Sequence, residues 1–115
     1  MDTRPGKRLT GLTGTFPAKT SRTLDTDGHW GVPVGAKAIT GNITVTGQTH
    51  GGFVAVTQDP ENAPTTSTIN FPVGDNRANG ITSALSASGD ASMTYVSTLG
   101  GSTTQLILDL SGYFE

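Results

Sequence analysis

The chain has 115 residues, a formal net charge of −2, 33% hydrophobic and 14% charged residues, and no cysteine. That length holds one domain with one modest core, and without cysteine there are no disulfide staples, thiolate metal sites or thiol nucleophiles. Seven scattered basic residues give no footprint for nucleic acid, and no apolar run reaches bilayer-spanning length, so no membrane insertion is expected.

Low charge with abundant Thr, Ser and Gly reads as an all-β domain, here a single unit over residues 1–115. From Met1 to Phe16 the sequence has little periodicity, with Leu9, Leu12 and Phe16 as its sizeable apolar residues. Residues 1–19 are therefore expected to form an extended arm along a sheet, with Arg4, Lys7 and Arg8 as a solvated tail. No charged-then-hydrophobic leader precedes the domain, so a secretion signal is expected outside this chain. Thr20–Leu24 fits a short strand, and Asp25–Lys37, punctuated by Gly28, Gly31, Pro33 and Gly35, fits a loop.

Ala38–Thr46 alternates cleanly: Ile39, Gly41, Ile43 and Val45 share one face, and Ala38, Thr40, Asn42, Thr44 and Thr46 the other. Gly41 inside this strand predicts a bulge or a close backbone approach. After Gly51-Gly52 comes Phe53–Thr57, expected to pair with Ala38–Thr46 as a hairpin. Pro60 and Pro64 make Gln58–Ser67 a long surface loop. Further strands are predicted at Thr68–Phe71, Gly80–Leu85, Ser92–Ser97 and Gln105–Leu110. This spacing predicts an antiparallel β-sandwich, jelly-roll-like, of about seven to nine strands with almost no helix.

Few residues suggest chemistry. Asp25-Thr26-Asp27-Gly28-His29 resembles the opening of a calcium loop but lacks the third acidic position and the distal Glu, so an Asx-rich turn is the simpler expectation. His29 and His50 have no His or Cys neighbour at metal-ligand spacing, and no G-x-S-x-G turn exposes a serine nucleophile. Asp59, Glu61, Asp75 and Asp90 all lie in turn-like segments. No cofactor and no catalysis are expected. Trp30, unique and flanked by His29 and Gly31, either stacks on a ligand or plugs an open end of the sandwich.

The terminal run "LILDLSGYF", Leu106–Phe114, places Leu106, Leu108 and Leu110 on one face and Gln105, Ile107 and Asp109 on the other. Asp109 is thus expected away from the core.

"DTRPG" at Asp2–Gly6, "GVPVGAKAITGNITVTG" at Gly31–Gly47, "GFVAV" at Gly52–Val56, "STINFPVGDNRANGI" at Ser67–Ile81 and the terminal "LILDLSGYF" follow one another in a recognisable order. Together they resemble a Thr- and Gly-rich β-sandwich domain of secreted actinobacterial and Chloroflexi-type proteins and of some phage surface proteins. That family pattern runs from D-T-R through G-V-P-x-x-A to a closing D-x-x-G-Y-F. The resemblance implies an extracellular, cell-surface or virion-surface domain and brings no catalytic residues with it. Gly41 and the Ser/Thr-rich Leu85–Gly101 segment depart from the pattern.

The expected function is a non-catalytic structural or adhesion module that self-associates or docks on a surface. A homo-oligomer is expected, a trimer ahead of a dimer, with Trp30, Phe53 and Tyr113 as interface candidates. The alternative is a carbohydrate-binding module in which Trp30, His29 and Tyr95 form a platform for a surface glycan, assisted by Asp27 and Asp59. The arm is further expected to lie beside the last strand, with Arg4 pairing Asp109.

Overall fold

Alternation sets the faces of the two longest strands. In β3 (Ala38–Thr46) the buried residues are Ile39, Ile43 and Val45, and in β8 (Thr103–Phe114) they are Thr104, Leu106 and Leu108, while Asp109 is exposed. The computed structural model describes residues 1–6 and 11–115; Lys7, Arg8 and Leu9 of the expected arm lie outside the described residues. The remaining strands are β1 (Phe16–Pro17), β2 (Arg22–Asp25), β4 (Gly52–Thr57), β5 (Ile69–Phe71), β6 (Arg77–Ala84) and β7 (Asp90–Val96). No helix occurs among the described residues.

The strands form two four-stranded sheets, β1-β8-β3-β6 and β2-β7-β4-β5, and every neighbouring pair is antiparallel. This is the strand order of an eight-stranded jelly roll, two Greek keys folded into a sandwich. Between the sheets, Phe16, Ile43, Val45, Val54, Met93, Tyr95 and Leu106 are fully buried. Each large apolar side chain so placed contributes about 1.5–3 kcal/mol. A smaller cluster, Val32, Ala36, Ile39, Leu85 and Ala91, lies under the β2–β3 loop.

The expected hairpin of Ala38–Thr46 with Phe53–Thr57 does not form. Each strand is central in a different sheet: β3 lies between β8 and β6, β4 between β7 and β5. The connection between them arches over the end of the sandwich and is pinned there. Gln48 Nε2 donates to the Pro72 and Asp75 carbonyls, the Tyr95 hydroxyl to the His50 carbonyl at 2.6 Å, and Thr49 N–H to the Thr103 carbonyl at 2.9 Å. These bonds satisfy groups that a two-residue turn would have paired between its own strands.

β7 is buried on both faces because the Gln58–Ser67 loop lies over its outer side. Thr94 Oγ1 donates to the Glu61 carbonyl at 2.7 Å, Asn62 Oδ1 accepts from Ser21 N–H at 2.9 Å, and Pro64 is buried.

The N-terminal residues run beside β8. Thr3 N–H donates to the Leu106 carbonyl, Leu108 N–H to the Met1 carbonyl, and Asp2 bridges to Ile107. Arg4, however, pairs with Asp2 and not with Asp109. Its Nε lies 3.0 Å and its Nη2 2.7 Å from the Asp2 carboxylate, which also accepts the Arg4 backbone N–H. The reason is burial: Asp2 is 5% exposed and a desolvated carboxylate needs a partner, whereas Asp109 is already solvated. The nearby Asp2 carboxylate in turn raises the pKa of Arg4. Among the described residues, the cation of the arm that feels Asp109 is the Met1 ammonium, whose pKa burial lowers, with Asp109 and Asp2 opposing.

Candidate functional site

The β2–β3 loop is built from short-range hydrogen bonds. Buried Thr26 gives both its N–H and its Oγ1 to the Gly89 carbonyl, at 3.0 and 2.8 Å, which fastens the loop to the β6–β7 turn. Asp27 N–H donates to Asp25 Oδ1 at 3.1 Å, an Asx turn. Beyond it, Val32 N–H donates to the His29 carbonyl at 2.9 Å around Trp30 and Gly31, both with positive φ (51° and 79°). That sign pattern belongs to a type I′ turn, for which Asn-Gly is the usual pair.

Tryptophan in the left-handed region costs about 1–2 kcal/mol, so the surroundings must hold it there. They do so through the turn's own Val32 N–H to His29 carbonyl bond and from the side, where a Cβ on Gly11 would come within 3.2 Å of the indole. The His29 and Trp30 rings are 5.3 Å apart, tilted by 46°. Trp30 retains 37% of its surface in solvent, so it both packs on the open end of the sandwich and shows a face outward.

Tyr113 reaches the same place through a bulge. Opposite β3, Gly41 pairs with Leu110 but Thr40 with Gly112, so Ser111 is the extra residue. The bulge reverses the alternation of β8 beyond it. Tyr113 then faces Ile39 directly and shares its side of the sheet, where unbroken alternation would have put Phe114. Trp30, Gly31, Val32, Leu110, Ser111, Gly112 and Tyr113 line a cleft of about 150 Å³. Tyr113 is 42% exposed, and the Ser111 hydroxyl donates to the Thr40 carbonyl at 3.3 Å. Val34 and Phe114, exposed at this end, are not singled out by the sequence reading; the bulge that separates Tyr113 from Phe114 leaves no local signal beyond the adjacent Gly112.

The structure thus gathers Trp30, His29 and Tyr113 at one end and leaves other candidates elsewhere. Phe53 stands at the opposite end, half-buried on the first turn into β4, in a groove with Lys19, Val96 and Thr98. Tyr95 cannot join a platform: it is fully buried and stacked on Phe71 at 5.8 Å. Asp27 turns toward Gly35 N–H and Gly89, and Asp59 lies in the exposed loop after β4. Among the described residues no three His, Asp or Glu side chains come together as a metal site. Asp75 is paired with Arg77 at 2.6 Å.

Comparison of the chain with protein-family models, with curated proteins and with solved structures finds no match.

Proposed function

We propose that this chain is a non-catalytic docking module of an extracellular protein, a jelly roll that presents the Trp30–Tyr113 end to a surface. The observation behind this reading is convergence. A tryptophan held in left-handed backbone and a tyrosine re-aimed by a bulge line one cleft. Both devices carry local cost, and backbone held in unfavourable geometry concentrates at functional sites. The non-catalytic part of the reading is supported by the scatter of titratable groups. His29 and His50 are on loops at opposite ends, and Asp59 and Glu61 sit in an exposed loop. The extracellular setting rests on the resemblance of the sequence motifs and on the cysteine-free, Thr-rich composition.

A second reading makes the docking partner a saccharide. It is favoured by the size of the cleft, near that of one sugar ring, and by two amphipathic rings beside the Ser111 hydroxyl and the Gly31 and Gly112 backbone.

The test is retention of the labelled chain on bacterial cell walls and on insoluble polysaccharides, compared with Trp30→Ala/Tyr113→Ala. Retention lost in the double variant with an unchanged melting temperature supports docking through this end. Equal retention of both proteins removes it, and retention on cell walls but on no polysaccharide removes the saccharide reading alone.

A further inference from the structure

An antiparallel sandwich has four sheet edges, and three of these are short or covered. β1 is two residues long and includes Pro17, Met1–Thr3 take the same edge of β8 from Leu106 to Leu108, and the bulge at Ser111 breaks the edge beyond them. β5 has three residues. β2 has four, and its Arg22 guanidinium collects the carbonyls of Thr13, Gly14 and Thr15 at 2.7–3.3 Å, which lays that segment alongside. The fourth edge is β6, eight residues paired on one side only, with β3. Its seam toward the other sheet is closed by Asn79 Nδ2 on the Thr68 carbonyl and Arg77 on the Asn70 carbonyl, neither of which blocks the edge itself.

Which groups that edge offers follows from the ladder. Leu85 N–H donates to the Lys37 carbonyl, so odd-numbered residues of β6 turn their backbone groups toward β3. Ala78, Gly80, Thr82 and Ala84 therefore direct N–H and C=O outward. Among the described residues no backbone group pairs with them; the Ala84 carbonyl accepts only the neighbouring Ser83 hydroxyl. All four are exposed and small, and none is charged or proline. The strand has no lysine, proline or bulge on this edge, the usual devices against strand addition.

We propose that β6 pairs antiparallel with β6 of a second copy of this chain, about a two-fold axis at Ile81. In an antiparallel self-pair, outward-facing residues must meet outward-facing residues for the sheet to continue. Centring on Ile81 sets Ala78 opposite Ala84 and Gly80 opposite Thr82, twice each by symmetry. All four N–H and all four C=O groups of both copies are then used, and shifting the axis by one residue to Gly80 or Thr82 leaves some unpaired. The same register keeps like charges apart, because Arg77, the single charge of the strand, meets the position of uncharged Leu85. Ile81 faces Ile81 of the partner on the core side. The two four-stranded sheets become one of eight, which places a two-fold pair ahead of a trimer. The inference stands apart from the Trp30 end and from what binds there.

Light scattering after size exclusion, over a concentration series, is expected to give twice the 11.8 kDa chain mass, and Gly80→Pro, which removes one outward N–H, to return it to monomer. Thr82→Pro gives the same result if Gly80→Pro fails to fold, and circular dichroism melting shows which variants are folded. The register is read by mild oxidation of the otherwise cysteine-free chain. A mixture of Ala78→Cys and Ala84→Cys should form a disulfide-linked dimer, and neither variant alone should. A wild-type chain that stays monomeric, a dimer that survives both folded proline variants, open-ended fibres, or cross-linking of either single variant with itself would each overturn the proposal.

Discussion

Gly41 of β3 lies against the main-chain carbonyl of Asp109 in β8, closer than any side chain allows. A Cβ on Gly41 would overlap that oxygen and approach Leu110 Cα to 3.0 Å. The carboxylate of Asp109 points the other way, into solvent, so its role in this run is set by its backbone.

Both clashing atoms belong to the backbone, and no rotamer change relieves them. Gly41→Ala is expected to destabilise by about 1–3 kcal/mol, the cost of overpacking. Thermal unfolding checks it, since each kcal/mol moves the midpoint by roughly 4–8 °C in a domain near this size. An unchanged midpoint would mean that β8 slides freely past β3.

Double-mutant cycles separate the two partners offered to Arg4. Arg4→Gln with Asp2→Asn is expected to be non-additive, because both contribute to one bidentate pair. Arg4→Gln with Asp109→Asn should add to within about 0.3–0.5 kcal/mol, the scatter for independent sites. Coupling only in the second cycle would restore the Arg4–Asp109 pairing.

Asparagine tolerates left-handed backbone, so Trp30→Asn tests whether the ring is there for display or for closure. Relief of about 1–2 kcal/mol of backbone strain opposes the loss of contact with Gly11. The melting temperature is expected to change little, while retention on the docking surface falls. A large drop in melting temperature would make Trp30 a plug first. Trp30 is the single tryptophan, so its fluorescence reports ligand directly.

Arg22 holds the segment before β1 through three carbonyls and sits over the Phe16 ring at 4.6 Å. Arg22→Met keeps the stem and removes the donors. It is expected to cost about 1–2 kcal/mol and to speed limited proteolysis near Thr13–Thr15. Unchanged cleavage rates would show that the segment is held by other contacts.

Local alternation made the faces of β3 and β8 readable, because Ile39, Ile43 and Val45 on one strand and Leu106 and Leu108 on the other repeat at the period of a pleat. Pairing was less readable. Nothing in Phe53–Thr57 says that its neighbours are Ile69–Phe71 and Asp90–Val96 rather than the strand just before it. Ser92 and Thr94 alternate with Met93 and Tyr95 as polar residues, yet both are buried, Thr94 under a loop from a distant part of the chain and Ser92 against Thr23 of the neighbouring strand. Gly41 announced a close approach; the extra residue at Ser111 did not, since a serine in a strand has no mark of its own. Trp30 and Tyr113 were legible as candidates one by one, but only the bulge and the turn make them neighbours.

That bulge makes the last five residues a selector between two rings. Closing the bulge with Ser111 kept, so that Ser111 itself pairs with Thr40, would send Tyr113 to the outer face and bring Phe114 to the inner one, whereas deleting Ser111 would leave Tyr113 opposite Ile39 on a regular strand. A surface whose chemistry follows a one-residue slip at the end of one strand can be retuned by that slip, and the sandwich beneath need not take part.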